Sequence, residues 1–340
     1  SFAYKGRNVD IREVGRELGV ETVLEGSVRQ AGEQVRITAQ LIDAESGFHL
    51  WSETYERRLE DIFRVQDEIA AAIVARLRIE LAPQEQALAV RDKAPTQNVQ
   101  SYELYLQGRA AWKLRGEDNL KKAIDLYQRA IGLDPGFARA HAALASAYVV
   151  LPGYTREEGD EAQFLRLAEA SARQALSIDP NIGEAHAVLA QMNAQRGDLL
   201  DAESGFFFAI SLEPNDPTPH HWYSLLLGRV GRIDRALEQA RRAQELDPTS
   251  GVIAANLANV YLTKGDDDQA LRYGRLAREL GNTKGAHGIE TTVAIRRGQW
   301  DEARRAIVLQ ESVPAELREH ARRFVDAMAD PKLRPKFVAD

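Results

Sequence analysis

The first eighty residues alternate hydrophobic and polar positions in the way that β-strands do. Three runs have this period of two, at 23–30, 34–44 and 48–57, and the connections between them contain Gly32 and Gly47. Short connections of this kind join neighbouring antiparallel strands. The pattern therefore predicts a three-stranded antiparallel meander.

Segments whose apolar residues have helical spacing precede and follow the meander. Ile11, Val14 and Leu18 lie on one face of a short helix that Asn8 or Asp10 can cap and Gly19 can end. A longer apolar stripe follows the third strand and consists of Ile62, Val65, Ile69, Ile73 and Leu77. Residues 1–83 are therefore predicted to form a small α/β module.

From about residue 100 the pattern of small and apolar positions repeats with a period of about 34 residues. Four glycines recur at this spacing, and an alanine follows each one at the same distance: Gly197, Gly231, Gly265 and Gly298, with Ala202, Ala236, Ala270 and Ala303. Acid–proline pairs close successive segments, at 134–135, 179–180, 213–214 and 247–248. A period of this length indicates stacked pairs of helices.

These motifs resemble the tetratricopeptide repeat (TPR) family. The resemblance implies a mainly α fold, in which a TPR α-solenoid (a helix-turn-helix superhelix) is preceded by the small α/β domain with its antiparallel three-stranded meander. We expect a linker at 84–100, about six TPR units at 101–311, and a C-terminal capping helix and tail at 312–340.

Two segments depart from the period. The interval between Pro135 and Pro180 is longer than the period, and the extra residues fall at 149–160, where proline and glycine predict a projecting loop. The turn near Arg115 and Gly116 is also slightly longer than the others.

Residues 1–82 resemble the TolB amino-terminal-like domain of bacterial signalling proteins, and 25–43 is the most specific part. Those proteins carry an upstream output domain, either a class III adenylate cyclase or a winged-helix domain. In that family a strand–helix–strand segment precedes the stretch that begins at Ser1. Without it we expect an open sheet edge, which predicts a homodimer through this module or its packing against the first repeats.

Composition narrows the classes of partner. The net charge of −7 disfavours binding of nucleic acid. The longest apolar run, 69–75, is too short to span a bilayer, and no signal peptide opens the chain. There is no cysteine, so disulfides and thiolate metal sites are excluded. We expect a cytoplasmic protein.

The sequence lacks the common motifs of catalytic and cofactor-binding sites. It has no phosphate loop, dinucleotide fingerprint, zinc-peptidase helix or nucleophile elbow. His220 and His221 are adjacent, so on a helix they diverge by about 100° and cannot chelate one ion together. We expect no catalytic residue, no metal site and no cofactor.

The concave groove of the predicted repeats is a stronger indication of function than any catalytic motif. In the TPR family, positions 2, 5, 9, 12 and 13 of the first helix line the concave face. The resemblance assigns partner binding to Arg139, Glu184, Gln191, Gln195, His221, Arg229 and Asn259. The lysine–asparagine clamp that some relatives use for chaperone C-termini is absent from the corresponding positions.

The leading hypothesis is a non-catalytic protein–protein interaction and regulatory module of a bacterial signalling protein. It would bind a peptide or helix in the concave groove. One alternative is the regulatory half of a class III adenylate cyclase, and another is the sensor half of a winged-helix transcription regulator.

Overall fold

The structure is a computed structural model that describes residues 9–58, 62–77, 96–155, 161–309 and 313–333. The chain divides into two compact units, Ser1–Tyr102 and Glu103–Asp340. Some predicted features lie outside the described residues, namely the opening stretch at 1–8, residues 84–95 of the linker, 156–160 of the insertion and the tail at 334–340.

The first unit contains the predicted meander and its two helices. In chain order the elements are α1 (Ile11–Leu18), β1 (Thr22–Ala31), β2 (Gln34–Asp43), β3 (His49–Arg58) and α2 (Ile62–Leu77). The strands form one antiparallel sheet in the order β1-β2-β3. The Asp10 carboxylate accepts a hydrogen bond from the backbone N–H of Arg12 at 2.9 Å and so caps α1.

One face of this sheet is only partly covered. Leu41, Trp51 and Tyr55 are buried together with Val65 of α2. On β1, Leu24 pairs with Leu41 and Val28 pairs with Ile37, so both side chains belong to the same apolar face. Leu24 nevertheless remains 52% exposed and Val28 66%.

The second unit is a series of helix pairs, the first helix of which begins at Val99, just before the unit boundary. They are α3 (Val99–Leu114) with α4 (Glu117–Leu133), α5 (Ala138–Val150) with α6 (Glu161–Ile178), α7 (Gly183–Arg196) with α8 (Leu199–Leu212), α9 (Pro217–Arg229) with α10 (Ile233–Leu246), α11 (Gly251–Lys264) with α12 (Asp267–Glu279), and α13 (Thr283–Arg296) with α14 (Trp300–Val308). A last helix, α15 (Ala315–Ala329), follows them.

Small residues let the two helices of a pair approach closely. The alanine that recurs at the same point of each second helix is completely buried in every one of these pairs, at Ala123, Ala168, Ala202, Ala236, Ala270 and Ala303. Gly265 ends α11 in the left-handed conformation, with φ 87°, which a side chain would strain.

First helices of successive pairs also contact one another, α5 with α7, α7 with α9, α9 with α11, and α11 with α13. They therefore form a continuous inner layer. The predicted fold class is confirmed: a mainly α chain with a TPR-type α-solenoid after a small α/β unit.

The described part of the insertion after α5 differs from the projecting loop that we expected. Its first part, Leu151–Gly153, is a turn of 3₁₀ helix, and Leu151 is only 1% exposed. The apolar side chain of Leu151 holds this part against the solenoid, because leaving it in water would cost free energy.

Candidate partner-binding face

A buried ion pair crosses the inner layer. The Arg109 guanidinium of α3 donates to Glu184 Oε1 of α7 at 2.8 Å, and the Ser146 hydroxyl of α5 donates to the same oxygen at 2.8 Å. Glu184 is 6% exposed. Its carboxylate thus joins the first, second and third helix pairs, and little of it is accessible to a partner.

Two more of the predicted groove residues bond between repeats. Arg139 pairs with Glu213 at 3.0 Å, and Arg229 donates to the carbonyl oxygen of Ala194 at 3.2 Å. Burial raises the pKa of Glu213, while the positive charge of Arg139 opposes that rise. Both arginines therefore help to fix the curvature of the inner layer.

Three predicted groove residues meet at one cavity. Gln191, Gln195 and His221 line a space of about 410 Å³ on the side of the first helices. Its apolar wall includes Val149, Trp222, Leu225 and Val252, from the first helices of successive pairs. The seventh predicted residue, Asn259, is exposed on α11 and does not line this cavity.

His221 is buried in the cavity wall. It is 6% exposed, and its Nδ1 atom has no hydrogen-bond partner among the described residues. Burial lowers the pKa of His221 to about 3, and the nearby positive charge of Arg115 adds to the lowering. The imidazole is therefore neutral at physiological pH.

Sequence reasoning missed Arg115, which enters the cavity from the turn between α3 and α4. Its guanidinium lies 3.5 Å from the centre of the Trp112 ring. Its Nη1 atom is buried and has no hydrogen-bond partner in the part of the chain that the structure describes. Burial lowers the pKa of Arg115 to about 10.

Arg115 also has a strained backbone, with φ 56° in the left-handed region. Beside it, Lys113 forms an ion pair of 2.9 Å with Asp247, which follows α10. The curvature of the solenoid thus brings its first turn close to the fourth and fifth helix pairs. The only sequence signal for this position is the slightly longer turn at Arg115 and Gly116.

The neutral state of His221 predicts a pH dependence of stability. Its pKa is about 3 in the folded chain and about 6.5 when unfolded, so between these values the unfolded state binds more protons. The stabilising contribution is complete above pH 6.5 and is lost as pH falls. Between pH 7.5 and 5.5, we expect the wild type to lose about 1 kcal/mol more stability than His221→Gln.

Denaturant unfolding of both proteins at the two pH values measures this difference. The other ionisable groups that line the cavity, Arg115, Tyr154 and Glu161, are present in both proteins, so their contributions cancel. Equal losses in the two proteins would contradict a buried, neutral His221.

In the described ranges, neither a cluster of metal-binding side chains nor a membrane-spanning helix is found. Within them, no group of three or more histidine, aspartate or glutamate side chains could hold a metal ion. In the same ranges, no helix is both long enough and apolar enough to cross a membrane.

A curated protein is similar to part of this chain. The chain is 47% identical over 146 residues to "Putative adenylate cyclase 3" of Rhizobium meliloti (strain 1021). The match covers 43% of this chain and 24% of that protein, so the chain spans about a quarter of its relative. No protein-family model matches the chain.

Solved structures resemble the fold. The human IFIT1 dimer with m7Gppp-AAAA has a TM-score of 0.53 and 18% identity, covering 79% of this chain and 59% of that one. TTC0263, a thermophilic TPR protein of Thermus thermophilus, has a TM-score of 0.40 and 20% identity, covering 58% and 97%. Together with the repeated helix pairs, the IFIT1 likeness identifies the fold after the α/β unit as a TPR-type α-solenoid.

Proposed function

We propose that this chain is a non-catalytic protein-binding and regulatory module of a bacterial signalling protein, acting in the cytoplasm. The continuous inner layer of first helices carries the proposal, since repeat solenoids use such extended concave surfaces to bind partners. A peptide or helix lies along this layer and contacts the exposed side chains of Gln195, Arg229 and Asn259. Arg139 and Glu184 hold the repeats in the curvature that the partner requires.

Site-specific photocrosslinking in the source bacterium tests this function. A photoreactive amino acid at Gln195 or Asn259, both exposed on first helices, is expected to capture a discrete partner. The matched control places it at Arg275, which is exposed on the second helix α12. Equal capture from both helices, or capture from neither, would exclude the inner layer as the binding face.

The second candidate function is the regulatory half of a class III adenylate cyclase. The observation in its favour is the 47% identity over 146 residues to "Putative adenylate cyclase 3" of Rhizobium meliloti (strain 1021). In this reading the catalytic domain lies elsewhere in the full-length protein, and the solenoid controls its activity through the bound partner.

Both functions predict that the 340 residues do not form cyclic nucleotide by themselves. The sequence offers no nucleophile, base or metal-ligand set of the kind that the reaction needs. Purified chain incubated with ATP, magnesium and manganese should yield no cyclic AMP by mass spectrometry. Robust turnover would contradict both functions in their present form.

We also propose that the first unit forms a homodimer through β1. Within the described residues β1 pairs only with β2, and it carries the exposed Leu24 and Val28. A sheet edge with exposed apolar side chains tends to recruit another strand. Light scattering should give twice the chain mass, and a version that starts near Pro95 should be monomeric.

Two substitutions on β1 test whether its apolar face forms the dimer interface. Val28→Lys places a charge on the apolar face and should shift the chain to monomer, whereas Ser27→Lys, on the opposite face, should not. If the unchanged chain is already a monomer at high concentration, the dimer proposal fails.

A further inference from the structure

The cavity of about 410 Å³ is lined by a cationic side chain, Arg115. The Arg115 guanidinium makes no hydrogen bond or ion pair with any described residue, although it stacks on Trp112. Arg109 differs from Arg115 in this respect, because its Nη1 atom lies 2.8 Å from Oε1 of Glu184 and the carboxylate neutralises its charge. The Nη1 atom of Arg115 is buried although the residue as a whole is only half-buried, and a bound anion would offset the cost of desolvating this charge.

Further hydrogen-bonding groups surround Arg115. His221 presents a buried Nδ1 atom that has no partner within the described part of the chain. The amide side chains of Gln191 and Gln195 and the phenol of Tyr154 line the same cavity. Since the neutral imidazole donates one hydrogen bond, the cavity offers several donors around one positive charge.

Both departures from the repeat period meet at this cavity. The longer turn of the first pair supplies Arg115, and the insertion after α5 supplies Pro152, Gly153 and Tyr154. The regular repeat positions build the apolar wall, whereas the irregular segments supply the charge and the phenol. Such local breaks of regularity, with the strained φ of Arg115, are typical of functional sites.

We propose that this cavity anchors the partner by binding a single carboxylate, either an acidic side chain or a free C-terminus, through the Arg115 guanidinium. The anchor rests on the proposed function, because the carboxylate belongs to the chain that lies along the inner layer. Gln191, Gln195 and Tyr154 orient the carboxylate, and Trp222 packs against its apolar neighbours. The cavity volume is in the range of pockets that bury a small ligand group.

The charges favour one carboxylate over a polyphosphate. Arg115 is the only arginine or lysine that lines the cavity in the described chain, and Glu161 lies at its exposed edge. Glu184 on the inner layer and Glu213 at the end of α8 are each paired with one arginine. A triphosphate would therefore meet a single cation and repulsion from the surrounding acids.

Small probes test the anchor on the whole chain. N-acetylleucine presents a free terminal carboxylate, N-acetylglutamic acid α-amide presents a side-chain carboxylate, and N-acetylleucinamide is the neutral control. Ligand-observed NMR titration should give saturable binding of at least one acid and none of the amide. The tighter of the two acids identifies the source of the carboxylate.

Substitutions locate the binding. Arg115→Gln should weaken the binding of the acid about tenfold or more, and Arg115→Lys should weaken it less. Arg275→Gln, at an exposed arginine of the second helix α12 that does not line the cavity, should leave affinity within about twofold. Arg115→Gln should unfold at the same temperature as wild type or higher, because it removes a half-buried cation that has no ion-pair partner among the described residues.

Three results would overturn the anchor. They are no saturable binding of either acid, equal binding by wild type and Arg115→Gln, and tighter binding of inorganic tripolyphosphate than of both acids. The last result would make the cavity a polyphosphate site. Photocrosslinking from Gln195 and Asn259 that persists in Arg115→Gln, together with no probe binding, would leave the proposed function standing and remove only the anchor.

Discussion

Replacing Glu184 with alanine is expected to lower the free energy of unfolding by about 2–4 kcal/mol. The substitution removes the acceptor of both Arg109 and Ser146 and leaves a guanidinium in the inner layer without its counter-ion. Removing one partner of a fully buried pair costs about 3–5 kcal/mol. We place the loss slightly lower because the Arg109 side chain remains 25% exposed.

Chemical denaturation followed by far-ultraviolet circular dichroism measures this loss. The matched control is Glu245→Ala, because Glu245 forms an ion pair of 3.3 Å with Arg242 but is 65% exposed. Exposed pairs contribute about 0–1 kcal/mol, so the control should change little. Equal losses in the two variants would show that Glu184 does not hold the repeats together.

A double substitution separates the lost ion pair from the buried charge that remains. Arg109→Met with Glu184→Leu replaces the pair by apolar side chains, and such replacements are often neutral or stabilising. The double variant should therefore be more stable than Glu184→Ala. If the double variant is less stable than Glu184→Ala, the lost ion pair, and not the uncompensated cation, accounts for most of the loss in unfolding free energy.

The repeat architecture could be predicted from sequence because it depends on contacts that are close along the chain. Alanines such as Ala202 and Ala236 recur once in each repeat, and the structure buries each one completely. The alternation in 23–57 likewise predicts the strands, whose residues pair across connections of a few residues. The hydrophobic period of a helix or a strand can be recognised from a short stretch of sequence.

The cavity could not be predicted in the same way, because it depends on the curvature of the whole solenoid. Lys113 and Asp247 are far apart along the chain, and small rotations between successive pairs accumulate until they meet. Arg109 and Glu184 likewise come from different helix pairs. No local pattern in the sequence records such contacts, so neither the burial of Glu184 nor the position of Arg115 in the cavity wall follows from the repeat period.

Position in the repeat also does not distinguish exposed from buried polar residues. Gln195 and Asn259 are exposed, as a partner-binding residue requires, whereas His221 is buried. Arg115, from the turn of the first pair, lines the same cavity as His221, and the position number of His221 within its repeat does not indicate this neighbour. Neighbours from distant repeats, and not the position number, decide which side chains a partner can reach.

Replacing Ala270 with leucine is expected to destabilise the solenoid by about 1–3 kcal/mol. Ala270 is completely buried on α12, in the same hydrophobic core as Ala258 and Tyr261 of α11. Interiors are close-packed, so the additional carbon atoms must displace one helix or force unfavourable rotamers. Thermal unfolding measures the loss.

The matched control for Ala270→Leu is Arg275→Leu, which adds a leucine at an exposed site of the same helix. A midpoint that drops for Ala270→Leu but not for Arg275→Leu would support the repeat register, since only a buried small-residue position resists the larger side chain. Unchanged midpoints in both variants would mean that α11 and α12 do not approach closely at this alanine.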